Sequence, residues 1–173
     1  TNLSPVKKEE KRLDSRCPSK FNCKIDCEDT WDEITNSRIE KLDPRIRCIV
    51  KTIINRAEKE LNLKIRVSQG LRTMKEQNDL YAKGRSVTNA KAGQSFHNYG
   101  LAFDMVIIKG SKAYWIESEF KKVAEIAEEY NAEWGGRWSS NKKDFPHIQF
   151  TFGKTWKEYN QEYIRRGGKL EYE

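Results

Sequence analysis

An α+β fold in one domain is predicted from three observations. Helical apolar periodicity runs over residues 43–61 and again over 117–130. Short apolar or alternating stretches, at 63–68, 101–108 and 147–151, read as strands. These elements do not follow the strict strand–helix–strand order of a parallel sheet. The length of 173 residues supports one hydrophobic core and is short for two.

Residues 1–40 are polar and charged, without periodic apolar positions, and are expected to form a loop-rich, cysteine-bearing N-terminal arm ahead of a domain over 41–173. Asp43-Pro44 supplies an N-cap with proline in the first helical turn. Ile46, Ile49, Val50, Ile53, Ile54, Ala57 and Leu61 follow on one helical face. Leu63, Ile65 and Val67 alternate with Lys64, Arg66 and Ser68, the period of a strand. Thr73-Met74-Lys75-Glu76 is a capping box that opens a helix to about Lys83. Residues 84–96, rich in Gly, Ser, Asn and Lys, are expected to be a loop. Leu101–Ile108 is a strand candidate with a single acid, Asp104, inside it. Phe120, Val123, Ala127 and Tyr130 form the buried stripe of a helix over 117–130. After the strand at 147–151, Thr155-Trp156-Lys157-Glu158 opens a last helix that Gly167-Gly168 ends.

The formal charge of +7 favours polyanionic partners but does not choose among nucleic acid, anionic lipid and an anionic cell wall. The basic residues are scattered, and no helix-turn-helix, RNA-binding or zinc-finger spacing is present, so no specific nucleic-acid role is expected. No run approaches the roughly 20 apolar residues of a membrane span. Cys17, Cys23, Cys27 and Cys48 allow three disulfide pairings, among which the sequence does not select. Disulfides are expected ahead of free thiols and of a second metal site, and they imply an oxidising compartment.

The chain has two histidines, His97 and His147, each in a distinctive setting. A catalytic zinc takes three imidazole or carboxylate ligands and keeps a position for water. His97, Asp104 and His147 meet that need, and an inward carboxylate on an apolar strand requires a partner of this kind. On the two predicted strands Asp104 shares a face with Ala102 and Val106, while His147 shares one with Gln149. A metal peptidase also needs a carboxylate to move protons, for which Asp144 lies three residues before His147. Arg72, at the start of a capped helix, is the candidate for stabilising an oxyanion. Taken singly, each residue has an ordinary structural reading: a hydrogen-bonded histidine, a lysine-paired aspartate or a surface arginine. Their joint pattern is the specific signal.

Gly70-Leu71-Arg72-Thr73, then Ser95-x-His97-x-x-Gly100-x-Ala102-x-Asp104, Glu133-Trp134-Gly135-Gly136 and Asp144-x-x-His147 resemble the zinc D-Ala-D-Ala carboxypeptidase and L-alanyl-D-glutamate endopeptidase family, the VanY-like and endolysin-type peptidases. Gln77–Tyr81, Gly84-Arg85 and Val87-Thr88-Asn89-Ala90 look like its endopeptidase branch. The resemblance spans residues 40–152. It implies a Hedgehog/DD-peptidase-like fold, a central antiparallel sheet flanked by helices. It implies Zn2+ on His97, Asp104 and His147, Asp144 as general base and acid, and Arg72 on the scissile carbonyl. Ser95 and Gln69 match positions lining the site. The substrate implied is a peptidoglycan stem peptide, cut at the cell envelope, outside the cell or by a phage lysin, most simply by a monomer. Arg137 stands where family members often carry an acid, and is expected to face substrate. Two other readings compete: a D,D-carboxypeptidase removing terminal D-alanine, with Arg137 on the free carboxylate, and a catalytically silent zinc-stabilised wall-binding module. The presence of Asp144 speaks for an enzyme.

Overall fold

The computed structural model of the chain describes residues 24–173. Among these residues the order is α1 (Glu33–Ile39), α2 (Pro44–Leu61), β1 (Lys64–Gln69), α3 (Met74–Ala82), β2 (Ala102–Lys109), β3 (Lys112–Tyr114), α4 (Glu117–Glu128), β4 (Glu133–Trp134), β5 (His147–Gln149) and α5 (Trp156–Arg165). Short 3-10 turns lie at Phe96–Tyr99 and Gly135–Arg137. The strands form one antiparallel sheet in the order β1-β2-β5-β4, with β3 folding back on the far end of β2. The α+β reading and its central antiparallel sheet are therefore borne out. Among the described residues no helix is long and apolar enough to cross a membrane.

Helix α2 forms where its periodicity places it. Asp43 accepts from the Arg45 amide at its N-terminus, and Asn62 closes it in the left-handed conformation. Its face from Ile46 to Ala57 is buried against the sheet, together with Phe120, Val123 and Ala127 of α4. Such side chains each contribute roughly 1.5–3 kcal/mol of hydrophobic stabilisation on burial. Strand β2 runs through the middle of this core. Phe103, Met105 and Ile107 are fully buried, as is Ala102 on the opposite face with Val106 nearly so, and Asp104 is the half-buried exception. The capping boxes at Thr73–Glu76 and Thr155–Glu158 both form.

The expected arm is only partly within view, since residues 1–23 lie outside the described residues, Cys17 and Cys23 among them. Residues 24–40 differ from a loop-rich arm. They include α1, capped by Asp32, and Ile39 of that helix is fully buried in the core. Asp32 also holds Arg66 through two side-chain bonds of 2.8 and 2.9 Å. Three side chains of this segment reach the outer backbone of β1. Trp31 Nε1 donates to the Ile65 carbonyl at 3.1 Å, Thr35 Oγ1 accepts from the Val67 amide at 3.0 Å, and Arg38 donates to the Val67 carbonyl. Cys27 and Cys48 are disulfide-bonded, which ties the segment to α2.

Candidate metal centre

The site forms where β1, β2 and β5 meet. The β2–β5 register sets Asp104 opposite His147, and the β1–β2 register sets Gln69 opposite Asp104 across a bulge at the end of β1. His97 arrives from the 3-10 turn at Phe96–Tyr99, capped by Ser95, whose hydroxyl accepts from the His97 amide at 3.3 Å. Gly100 ends that turn in the left-handed conformation with φ of 66° and sends the chain into β2. Seven residues thus carry the backbone from His97 round to Asp104 on the same site.

His97, Asp104 and His147 each offer one atom to a cluster whose members lie within 4.8 Å of one another. His97 Nε2 and His147 Nδ1 are each 3.2 Å from Asp104 Oδ1, and 3.2 Å from each other. The remaining ring nitrogens are engaged elsewhere. His97 Nδ1 lies 2.8 Å from the Gly70 carbonyl, and His147 Nε2 lies 2.9 Å from Gln149 Oε1. Both outer partners are acceptors, so each ring places its hydrogen outward and its lone pair inward. Two imidazole lone pairs and a carboxylate oxygen then converge with no donor between them. Such a triangle repels itself unless a cation or a proton sits at its centre. Nitrogen and oxygen ligands of this kind fit a divalent transition-type metal.

The electrostatics follow from this crowding. With a proton rather than a cation at that centre, the rings donate inward: burial opposes ionisation of Asp104, but the charges and hydrogen bonds of protonated His97 and His147 outweigh it and hold its carboxyl well below the usual range. Burial disfavours the His147 imidazolium, yet the bond and charge of Asp104 prevail and raise its pKa. Asp144 lies at the exposed rim, with its carboxyl partly withdrawn from water. That burial, reinforced by the Asp104 charge, raises its pKa against the pull of His147, His97 and Arg72. Arg72 is drawn down by burial and held up by Asp104 and Asp144. Its Nη2 stands 3.8 Å from Asp104 Oδ2, and its buried Nε has no hydrogen-bond partner among the described residues.

The Trp134-Gly135-Gly136 turn positions Asp144. The Gly135 carbonyl accepts from both the Trp138 and Asp144 amides, and the Asp144 carbonyl then accepts from the His147 amide at 3.2 Å. A Cβ on Gly135 would stand 2.3 Å from the Asp144 carbonyl oxygen, a backbone atom with no freedom to move aside. Gly135→Ala is therefore expected to displace Asp144 and to cost about 1–3 kcal/mol of stability. Thermal unfolding and hydrolysis assays on this variant check both effects. A variant of wild-type stability and rate contradicts this role of Gly135.

Five sequence-predicted residues thus gather at one place: His97, Asp104, His147, Arg72 and Asp144. Ser95 and Gln69 flank them. Gln69 donates its amide at 3.4 Å to the Leu71 carbonyl rather than into the cluster. Arg137 is not brought in. Its guanidinium pairs with Glu128 of α4 and lies over the Trp134 ring, 5.8 Å from its centroid. The parts that three further residues play escaped the sequence reading. Gln77, fully buried, accepts from Arg72 Nη1 at 2.9 Å and donates to the Ala90 carbonyl at 2.7 Å, fixing the arginine against the 84–95 loop. Trp138 packs on the His147 ring, with centroids 5.1 Å apart. Gln149 orients His147. Its place two residues from a histidine on a strand was the available signal, since alternation puts both on one face.

Comparisons with known proteins find similar peptidases. A family model described as D-alanyl-D-alanine carboxypeptidase matches residues 88–150, the stretch from the loop before His97 through β5. The chain resembles that family in sequence and in fold. Among relatives, the peptidoglycan L-alanyl-D-glutamate endopeptidase CwlK of Bacillus subtilis (strain 168) is 40% identical over 98 residues, covering 48% of this chain and 58% of the relative. The L-alanyl-D-glutamate peptidase of Listeria phage A118 is 27% identical over 119 residues, covering 67% of this chain and 40% of the relative. The chain thus spans less than two thirds of either. The crystal structure of Serratia marcescens L-Ala D-Glu endopeptidase ChiX superposes with a TM-score of 0.55 at 26% identity, covering 73% of this chain and 90% of that one. The fold is therefore that of the DD-peptidase-like endopeptidases, as the family resemblance implies.

Proposed function

We propose that this chain is a zinc-dependent peptidase that hydrolyses peptidoglycan stem peptides at the L-alanyl-D-glutamate bond. The observation that carries the reading is the convergence of two imidazole lone pairs and a carboxylate, with both ring hydrogens turned outward. Zinc suits this set of two nitrogens and one oxygen, and when bound it supplies a Lewis acid that acidifies water and polarises a carbonyl. Asp144 is assigned the proton work. Its carboxylate takes a proton from the attacking water and returns it to the leaving amine. Arg72, locked by Gln77 and by Asn98, which donates to its carbonyl, offers a fixed cation to the developing oxyanion. The substrate is supported by relatives whose names carry the L-alanyl-D-glutamate bond. The Cys27–Cys48 disulfide supports action outside the reducing cytosol.

The name of the matching family model keeps a second reading in play, removal of terminal D-alanine. That activity calls for a cation free to hold a carboxylate, and Arg137 is already paired with Glu128. Digestion of purified peptidoglycan separates the two. New N-terminal glutamate marks the endopeptidase, and released D-alanine marks the carboxypeptidase. Absence of both, in protein that holds zinc, marks a wall-binding module.

The pH dependence has a defined sign. Asp144 acts as a base only when ionised, and burial and Asp104 raise its pKa. Activity is therefore expected to fall as pH drops through that raised value, with the acid limb of kcat/KM lying above the roughly 3.9 of a free aspartate. Protonation of His147 adds to the loss, because a protonated ring is no ligand. A pH–rate profile that stays flat to about pH 4 would remove Asp144 from this role.

A further inference from the structure

We infer that Glu133 and Gln149 form a positioning relay that fixes the tautomer of His147 and so decides which of its ring nitrogens faces the cluster. The inference rests on the metal-peptidase reading only for the use to which that nitrogen is put. Glu133 and Gln149 are cross-strand partners in the β4–β5 register. Gln149 is buried, at 8% exposure, and its carboxamide lies between a carboxylate and an imidazole. Its Nε2 donates to Glu133 Oε2 at 3.0 Å, and its Oε1 lies 2.9 Å from His147 Nε2. Thr151 Oγ1 donates to the other Glu133 oxygen at 3.4 Å.

A carboxamide can present either end to a neighbour, and only its partners decide which. A carboxylate accepts and does not donate. Glu133 therefore draws the Gln149 amino group toward itself and turns the Gln149 oxygen toward His147. That oxygen requires a hydrogen on His147 Nε2, which leaves Nδ1 bare and facing Asp104 and His97. With the carboxamide reversed, the amino group would face Nε2, and the ring hydrogen would move to Nδ1, into the cluster. The two histidines are therefore held differently. His97 is oriented by the Gly70 backbone carbonyl, which has no reversed state. His147 depends on a side chain whose direction is set by an exposed glutamate at the sheet rim.

The test reads the tautomer and the metal separately. Ring 15N chemical shifts of His147 in the metal-free protein, recorded at a pH alkaline enough that the ring is neutral despite the pull of Asp104, report which nitrogen carries the hydrogen. Wild type is expected to carry it on Nε2. Glu133→Lys puts a donor where the acceptor stood, and is expected to reverse Gln149 and move the hydrogen to Nδ1, with the His97 shifts unchanged. Zinc affinity by chelator competition is expected to fall about 10–100-fold in Glu133→Leu, the usual effect of losing an outer-sphere partner. The exchanged pair, Glu133→Gln with Gln149→Glu, lets the new amide donate to the new carboxylate and should recover most of that affinity. Retention of the Nε2 hydrogen in Glu133→Lys overturns the relay, whatever the affinities. Wild-type protein that binds no zinc overturns the metal reading and leaves the tautomer result to judge the relay.

Discussion

Replacing Asp144 by Asn is expected to lower kcat on peptidoglycan about 10³-fold, within the range attributed to a positioned general base, with zinc still bound. That factor corresponds to about 4 kcal/mol of lost transition-state stabilisation. The substitution keeps the shape of the side chain and removes only its capacity to take a proton. The rim position of Asp144 and its backbone bonds to Gly135 and His147 leave the fold little dependent on its charge. A selective loss of kcat, with zinc content and thermal stability near wild type, assigns the carboxylate to the reaction. Hydrolysis at the wild-type rate would give the proton work to another group and return Asp144 to a place on the site wall.

His97→Ala is expected to abolish both metal binding and hydrolysis. Two ligands remain in this variant, and the weakening should exceed the roughly 100-fold that outer-sphere changes reach. Elemental analysis should fall from close to one zinc per chain to background. The buried Gly70 carbonyl loses its partner as well, so a stability loss of about 1–3 kcal/mol is expected alongside. Wild-type zinc content in the variant would mean that the metal sits elsewhere. A wild-type protein that folds, holds no metal and stays inert with added zinc would remove the central proposal.

The residues of this site were legible in the sequence for a physical reason. Histidine is scarce here, and a carboxylate inside an apolar strand needs a partner, so His97, Asp104 and His147 stand out without any coordinates. The long elements were legible likewise, because α2 and α4 carry uninterrupted apolar faces. Helix α1 was not. It is short, its Ile34 is exposed, and its place comes from Asp32, Thr35 and Arg38 bonding to a strand about thirty residues away, as the 32-residue separation of Thr35 and Val67 illustrates. Strands β3 and β4, three and two residues long, are too short for any period. Arg137 and Trp138 exchange the roles that their order invites. Glu128 takes the arginine, and the tryptophan reaches His147. The sequence around Gln77 carries the family resemblance but gives no sign of its contact with Arg72, because its buried amide matters only once Arg72 and Ala90 have been brought to it.

Strand β1 ends the sheet, and in most sheets such a strand offers a row of open amides and carbonyls to any passing chain. Here Trp31, Thr35 and Arg38 occupy those outward groups at Ile65 and Val67, and the positive side chains of Lys64 and Arg66 gather round the Trp31 ring. The segment ahead of α2 thus guards the molecule against stacking with its own copies through this edge. The disulfide to α2 adds a covalent tie to the buried Ile39 and the Asp32–Arg66 pair that already hold this guard in place.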